Sequence, residues 1–266
     1  MVEPVVLVSE RDNVLEVVLN RPEKYNALTT AMADLLFEAS QVFAERRDLR
    51  VMLIRANGKY FSAGADVNGG LFPDPDEKSP SGFRRGYRTR PSSLHPLNDE
   101  LEAIEKPIVV AHHGPCLGGA LELSLSCDFR LAARSARYAL PETGIGGLPG
   151  SGGTSRLTRI VGPHWARWFI MANLPMDAER ALAIGLVHDV YPDDTFEQRV
   201  WDFCLHLAKQ PPEAVVAAKL AIELVADLER GQARNVERLA VSSLVLGDEF
   251  RTEVAATRAR LAQRKK

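Results

Sequence analysis

Two acidic residues and two glycine-rich loops are the parts of this chain whose types and spacing could do chemistry. Glu122 stands in the stretch Gly114-Pro-Cys-Leu-Gly-Gly-Ala-Leu-Glu-Leu-Ser-Leu-Ser-Cys127, behind the apolar run Pro107-Ile-Val-Val-Ala111. That order reads as a buried strand, a glycine turn and the start of a buried helix. Gly118 and Gly119 would let an oxygen approach the free backbone N–H groups of a first helical turn. A second loop of small residues, Asn57-Gly-Lys-Tyr-Phe-Ser-Ala-Gly-Ala-Asp66, follows the strand-like run Val51–Ala56. Glu142 follows the short extended piece Tyr138–Pro141 and precedes Gly144-Ile-Gly-Gly-Leu-Pro-Gly-Ser-Gly-Gly-Thr154, the most glycine-dense part of the chain.

Backbone N–H groups from the loops around Ala65 and Gly119 could form an oxyanion hole. Two carboxylates in different surroundings can divide general-acid and general-base work. Each feature also has an ordinary reading, because Gly-Gly turns are common and a Glu in a first turn complements the helix dipole. Other chemistries fit less well. The 144–154 segment lacks the GxxxxGK[ST] pattern, and Pro149 stands where the last glycine of GxGxxG would be. Ser151 has Pro149 two places before it, so it is not a nucleophile elbow. His112 and His113 sit at a strand end and read as packed or hydrogen-bonded.

The elements that must position these residues follow from patterning. Val5–Ser9 and Val14–Leu19 read as a hairpin around Arg11-Asp12-Asn13. Thr29 or Thr30 caps a helix to about Arg47, with Met32, Leu35, Leu36, Ala39 and Phe43 on its core face. Val67 to about Pro96 reads as a long loop or insertion, with a solvated basic cluster at Arg84, Arg85, Arg88 and Arg90. A helix is expected over Leu97–Glu105, and strands over Phe129–Ala133 and Leu186–Val190. Helical patterns fill Thr154–Val161, His164–Ala172, Asp177–Ile184, Thr195–Lys209 and Pro212–Val225, with two more to the end. The chain is therefore expected to be α/β, with a core over residues 1–195 and a helical region over residues 196–266.

The bulk numbers exclude several classes. With 266 residues, 45% hydrophobic and 26% charged, the chain reads as an ordinary globular protein. A formal net charge of −2 gives no reason to expect nucleic acid or a membrane surface as partner. No run approaches the roughly 18 apolar residues of a membrane span. The first residues read as neither a secretory signal nor a transit peptide. Cys116, Cys127 and Cys204 are odd in number and form no CxxC pair, so neither a metal site nor a disulfide framework is expected. A cytoplasmic location fits best.

Taken together, four motifs resemble the enoyl-CoA hydratase/isomerase (crotonase) family. They are Leu19-Asn-Arg-Pro22…Asn26-Ala-Leu28; Phe61-Ser-Ala-Gly-Ala-Asp66; Gly114…Leu117-Gly-Gly119…Glu122-Leu123…Cys127-Asp128; and Pro141-Glu142…Gly147-Leu-Pro-Gly150…Gly152-Gly-Thr154…Arg156-Leu157. The resemblance implies a crotonase-like spiral of ββα units with a C-terminal helical trimerisation region. It implies a coenzyme A thioester as substrate and no separate cofactor. By position, Ala65 and Gly119 match the oxyanion hole, and Glu122 and Glu142 match the catalytic glutamates. Gly150 matches the glycine that helps place the reacting water. Lys24, Ala27, Ala63, Asp66 and Val67 fall where the family contacts the adenine and phosphate end of the coenzyme. Retention of both glutamates favours a hydratase, with Glu122 as the base toward water and Glu142 as the proton donor.

Alternatives are an isomerase or another crotonase-type acyl-CoA enzyme, and a non-catalytic acyl-CoA- or RNA-binding member. Two departures stand out. Val67–Pro96 looks long and polar for a short-chain hydratase and should form one wall of the acyl pocket. The last helix, Phe250–Lys266, keeps a basic end in Arg264-Lys265-Lys266 but has Ala255 or Ala256 and Leu261 where the family's glycine and phenylalanine are expected, which weakens the carry-over of coenzyme contacts to it. The resemblance implies a homotrimer or a dimer of trimers.

Overall fold

The computed structural model describes residues 3–69, 71, 80–89 and 93–263. A hairpin opens the chain: β1 (Val6–Arg11) pairs antiparallel with β2 (Val14–Leu19). Asp12 and Asn13 both take positive φ, 53° and 64°, as a two-residue hairpin turn with the right twist requires. Helix α1 (Thr30–Glu45) follows, and the Thr29 hydroxyl caps it by accepting from Met32 N at 3.2 Å. Next come β3 (Val51–Ala56), α2 (Pro80–Thr89), α3 (Leu94–Ala103), β4 (Ile108–His112), β5 (Pro115–Leu117) and α4 (Gly119–Leu125). Then follow β6 (Phe129–Ala133), β7 (Arg137–Ala139), α5 (Gly153–Ile170), β8 (Met176–Asp177), α6 (Ala178–Ala183), β9 (Asp189–Tyr191) and α7 (Phe196–Ala208).

The larger sheet runs β1-β2-β3-β4-β6-β9, parallel beyond the hairpin, and the smaller runs β5-β7-β8. Alternation along the central strands divides the apolar residues between two cores. Met52, Ile54, Ile108 and Val110 face one cluster, with Leu36 and Phe43 of α1 and Leu97 of α3. Val51, Leu53, Val109 and Ala111 face the other, with Phe196, Val200 and Cys204 of α7. Burial on both faces is why these strands read as continuous apolar runs.

The chain is a spiral. After β3 it makes bridges at Ser62 and Ala65; after β4 comes β5, and after β6 comes β7. Each turn thus adds one strand to the large sheet and one short segment to a second layer, then passes into helix. The second-layer segments join Leu28 to Ala65, Ser62 to Cys116, and Cys116 to Tyr138.

Several expectations change. The segment expected as a loop contains helix α2, and α3 begins at Leu94 rather than Leu97. Arg90 and residues 70, 72–79, 91 and 92 of that segment lie outside the described residues. The stretch opening at Gly114 is not only a turn before a helix, because Pro115–Leu117 is itself a strand. Leu35 is 36% exposed, since the buried stripe of α1 centres on Met32, Leu36 and Phe43 and leaves Leu35 at its rim. α5 bends at Gly162 (φ 75°) before Pro163, so the two helices expected there form its two arms.

Helix α7 packs on β2, β3 and β6, and the first compact unit extends to Ala208. The second unit, from Lys209, holds α8 (Pro212–Val225), α9 (Arg230–Leu244) and α10 (Asp248–Gln263). Its helices bury no residue among those described.

Asn26 ties the first turns of the spiral together. Its amide donates to Asn57 O at 2.7 Å and Tyr60 O at 2.9 Å, and accepts from Arg21 N at 2.7 Å. It is fully buried and sits at φ 51°. Asn26→Ala leaves these groups unpaired, each costing about 1–3 kcal/mol. The urea midpoint should fall by the equivalent of about 3 kcal/mol.

Candidate active site

Register builds the site. Ser62 bridges Cys116 in parallel, and Cys116 pairs with Tyr138. Counting three residues on from each partner gives Ala65, Gly119 and Pro141, with Glu142 next. Leu28 N donates to Gly64 O and Asp66 N donates to Leu28 O, both at 2.8 Å. Those flanking bonds turn the N–H of Ala65 to the opposite side. A Cβ on Gly119 would lie 3.6 Å from Ala65 N, so the two amides are neighbours. Among the described residues neither amide is given to an acceptor. Gly64, at φ 89°, has no room for a side chain, since a Cβ there would fall 2.7 Å from Leu117 O and 3.4 Å from Gly119 N.

Glu122 stands three residues beyond Gly119 on α4, hence on the same face. It is 4% exposed. Its Oε1 accepts from Ser151 N at 2.7 Å and Gly153 N at 3.0 Å. Burial pushes its pKa up to about 7; the Gly153 and Ser151 amides pull it down, and the nearby Glu142 charge adds to the rise. Glu142, on a 3-10 turn after β7, is half-buried, and burial raises its pKa too. Its Oε1 would lie 2.8 Å from a Cβ on Gly118, which has φ 52°. Its Oε2 is buried with no partner among the described residues.

The 150–153 turn is held from α3. Asn98 Nδ2 donates to Ser151 O at 2.8 Å. Arg156 binds Asp99 Oδ1 at 2.8 Å and Glu102 Oε2 at 3.1 Å, and reaches Ser151 O at 3.4 Å. Its guanidinium fills the space where Gly152, at φ 93°, would carry a Cβ. Gly150 lies at the exposed edge of this turn, next to the Ser151 amide that holds Glu122.

The second group of expected residues also converges. Ala63 N donates to Tyr25 O at 2.9 Å. Arg21 Nη1 binds Ala27 O at 3.1 Å and Asp66 Oδ2 at 2.7 Å. The turn bearing Lys24 and Ala27 thus lies against the loop bearing Ala63, Asp66 and Val67. Lys24 and Val67 are exposed. Asp66 is held low in pKa by Arg21 and by the Asn68 amide, so its carboxylate braces the loop.

Some partners escaped sequence reasoning. The sequence presents Ser151 by its hydroxyl, whereas it is the Ser151 amide that binds Glu122. Tyr87 and Leu94 lie in the segment without periodic pattern, yet a Cβ on Gly150 would meet Tyr87 Oη at 2.9 Å and one on Gly119 would meet Leu94 Cδ1 at 2.7 Å. Arg156 belongs to a quoted motif, but its partners on α3 carry no signal in sequence. His112 is packed: its Nδ1 meets Tyr138 Oη at 3.1 Å, and burial lowers its pKa to about 3. Among the described residues no cluster of His, Cys, Asp and Glu could hold a metal, and no helix is long and apolar enough to cross a membrane.

Comparison with known proteins finds a matching family, relatives and folds. The family model described as enoyl-CoA hydratase/isomerase matches residues 9–259. The 2,3-dehydroadipyl-CoA hydratase of Escherichia coli is 35% identical over 217 residues, covering 82% of this chain and 81% of its own. The short-chain-enoyl-CoA hydratase of Clostridium acetobutylicum is 33% identical over 253 residues, covering 93% and 90%. A solved enoyl-CoA hydratase from Bacillus anthracis superposes with a TM-score of 0.88 at 28% identity, covering 97% of each chain.

The raised Glu122 pKa has a consequence for stability. The folded chain holds this proton between the ordinary value of 4.5 and about 7, so stability falls as pH rises through that window. Glu122→Gln keeps an acceptor for both amides and removes the buried charge. It should be more stable than wild type at pH 8 by about 1–3 kcal/mol, and lose that advantage at pH 4, in paired thermal melts.

Proposed function

The chain belongs to the enoyl-CoA hydratase/isomerase (crotonase) family and has its fold, and from that premise we propose its reaction and the part each residue plays. It is an enoyl-CoA hydratase, a lyase that adds water across the 2,3-double bond of an α,β-unsaturated acyl-CoA. The supporting observation is the pair of amides, Ala65 and Gly119, that have no acceptor among the described residues, flanked by the buried Glu122 and the half-buried Glu142.

The thioester oxygen sits on the two amides. Glu122, its Oε1 fixed by Ser151 and Gly153, turns its other oxygen to a water and takes one proton as the water oxygen bonds to the β-carbon. The double-bond electrons move onto the thioester oxygen as an enolate, which the two fixed N–H donors stabilise by about 2.7–4 kcal/mol each. Glu142 supplies the α-proton from Oε2, and Gly150 N–H helps hold the water. The pair then exchanges protons with solvent and titrates as a coupled unit. Isomerisation would use the same enolate without a water; both carboxylates being in place favours hydration, and opposes a silent acyl-CoA- or RNA-binding role.

Lys24, Ala27, Ala63, Asp66 and Val67 line the adenine and phosphate end of the coenzyme, with Lys24 meeting phosphate charge and the loop backbone meeting the base. Coenzyme A is part of the substrate rather than a separate cofactor. A cytoplasmic location is supported by three buried cysteines that form no disulfide. Fatty acid or related acyl-CoA breakdown is the corresponding class of metabolism.

Self-association as a trimer or dimer of trimers is supported by the 209–266 unit, which leaves Ile222, Leu224, Leu239, Val241 and Leu246 exposed. Light scattering should give three or six times the 29.3 kDa chain mass, and a monomer would overturn this reading.

Loss of the enoyl thioester absorbance with crotonyl-CoA tests the reaction. Wild type should be active, and Glu122→Gln and Glu142→Gln should each be slower by about 10³-fold while still folded. Full activity in either variant would remove that residue from the mechanism.

A further inference from the structure

The reaction above needs the Glu142 carboxyl held in one place, and the carboxyl does little to hold itself. Its Oε2 has no partner among the described residues, so the backbone that carries Glu142 sets where that oxygen points. Glu142 belongs to the 3-10 turn Pro141–Ile145, which β7 fixes from one side. The ladder ends where Ala139 pairs with Leu117, with Gly118 N donating to Ala139 O at 2.9 Å. Past the turn the chain reverses at Gly146 (φ 78°), and Ile145 and Leu148 are exposed. A segment held by a ladder at one end and bare at the other is free to pivot about the ladder's last residue.

Thr143 stops that pivot. Its hydroxyl donates to Ile170 O at 2.5 Å, and among the described residues this is the one side-chain hydrogen bond between Pro141–Ile145 and another element. Ile170 is the last residue of α5, so its carbonyl has no donor within the helix. Just beyond, Asn173 takes φ 54°, and its Nδ2 occupies the space where Gly144 would carry a Cβ. The turn therefore meets the end of α5 at the two residues that follow Glu142. The other end of α5 serves Glu122, because Gly153, its first residue, donates to Glu122 Oε1 at 3.0 Å. Between the two arms, a Cβ on Gly162 would meet nothing within 4 Å, so glycine stands there for its φ of 75° and not for lack of room. That bend directs the second arm and with it Ile170 O.

We propose that Thr143 is a positioning residue for Glu142, and that α5 is a bent bracket holding one carboxylate-bearing segment at each end. The proposal rests on the hydratase reading, in which Glu142 is the proton donor. The Thr143 hydroxyl touches no reacting atom; it keeps the turn from swinging away from the α-carbon. Loss of the bond should therefore slow the chemical step and leave thioester binding intact.

Crotonyl-CoA hydration tests this. Thr143→Val keeps the shape of the side chain and removes the donor; its kcat should fall by about tenfold while KM changes by less than about twofold. Thr143→Ser keeps the donor and should stay within about threefold of wild type. Added to Glu142→Gln, Thr143→Val should cause no further loss, since the group it positions is gone. A kcat in Thr143→Val equal to wild type, an equal loss in Thr143→Ser, or a full further loss in the double variant, each with native circular dichroism, overturns the proposal. If Thr143→Val does not fold, Gly144→Ala, which crowds the Asn173 amide at the same contact, carries the same expectations in kcat, in KM and beside Glu142→Gln. If wild type hydrates no enoyl-CoA, the hydratase reading fails, and the anchor is read from the carboxyl 13C signal of Glu142 in a Glu122→Gln background. Burial holds folded Glu142 above its ordinary 4.5. Thr143→Val should bring that titration down toward the ordinary value, and an unchanged titration overturns the proposal.

Discussion

The site depends on strand register in the small second layer. Ser62, Cys116 and Tyr138 stand side by side on successive turns of the spiral. A slip of one residue would move Ala65 away from Gly119 and reverse which backbone groups face the ligand. Glycine enforces the close passage of the turns. At Gly64 and Gly118 the backbone takes positive φ, and a side chain would strike Leu117 O or the Glu142 carboxylate. The Ala65 and Gly119 amides are held by the fold itself, and donors fixed in this way need no reorganisation to meet developing charge.

Around that frame, burial and hydrogen bonding compete over one carboxylate. Burial favours the neutral form of Glu122, while two backbone amides favour its anion, and the balance leaves it titrating near neutrality. The amides are only as well placed as the turn that bears them. Asn98 of α3 fixes that turn, together with Arg156 of α5, which Asp99 of α3 holds, so residues distant in sequence set how the turn presents its amides to Glu122. Asn26, Ser62 and the Arg21–Asp66 pair likewise fix the loops that carry Lys24 and Asp66, where Ser62 Oγ donates to Asn26 O at 2.7 Å. Polar side chains buried among backbone groups act here as ties between turns.

The sequence by itself determined the large sheet, the cap of α1, the glycine loops and the identity of the two glutamates. Those features are local: apolar runs, turn residues and capping side chains act over a few positions. Motif order did the same for the family. Tertiary structure decided what sits beside what. It turned the Ser151 amide into a ligand of Glu122, and made Arg156 a brace. It folded part of an unpatterned segment into α2 and so brought Tyr87 beside Ser151. It also assigned α7 to the core, because that helix covers the second face of the sheet. None of these pairings has a signature in local periodicity. Each arises only when turns separated by tens of residues are packed together, and burial then fixes the partners of the groups it removes from water.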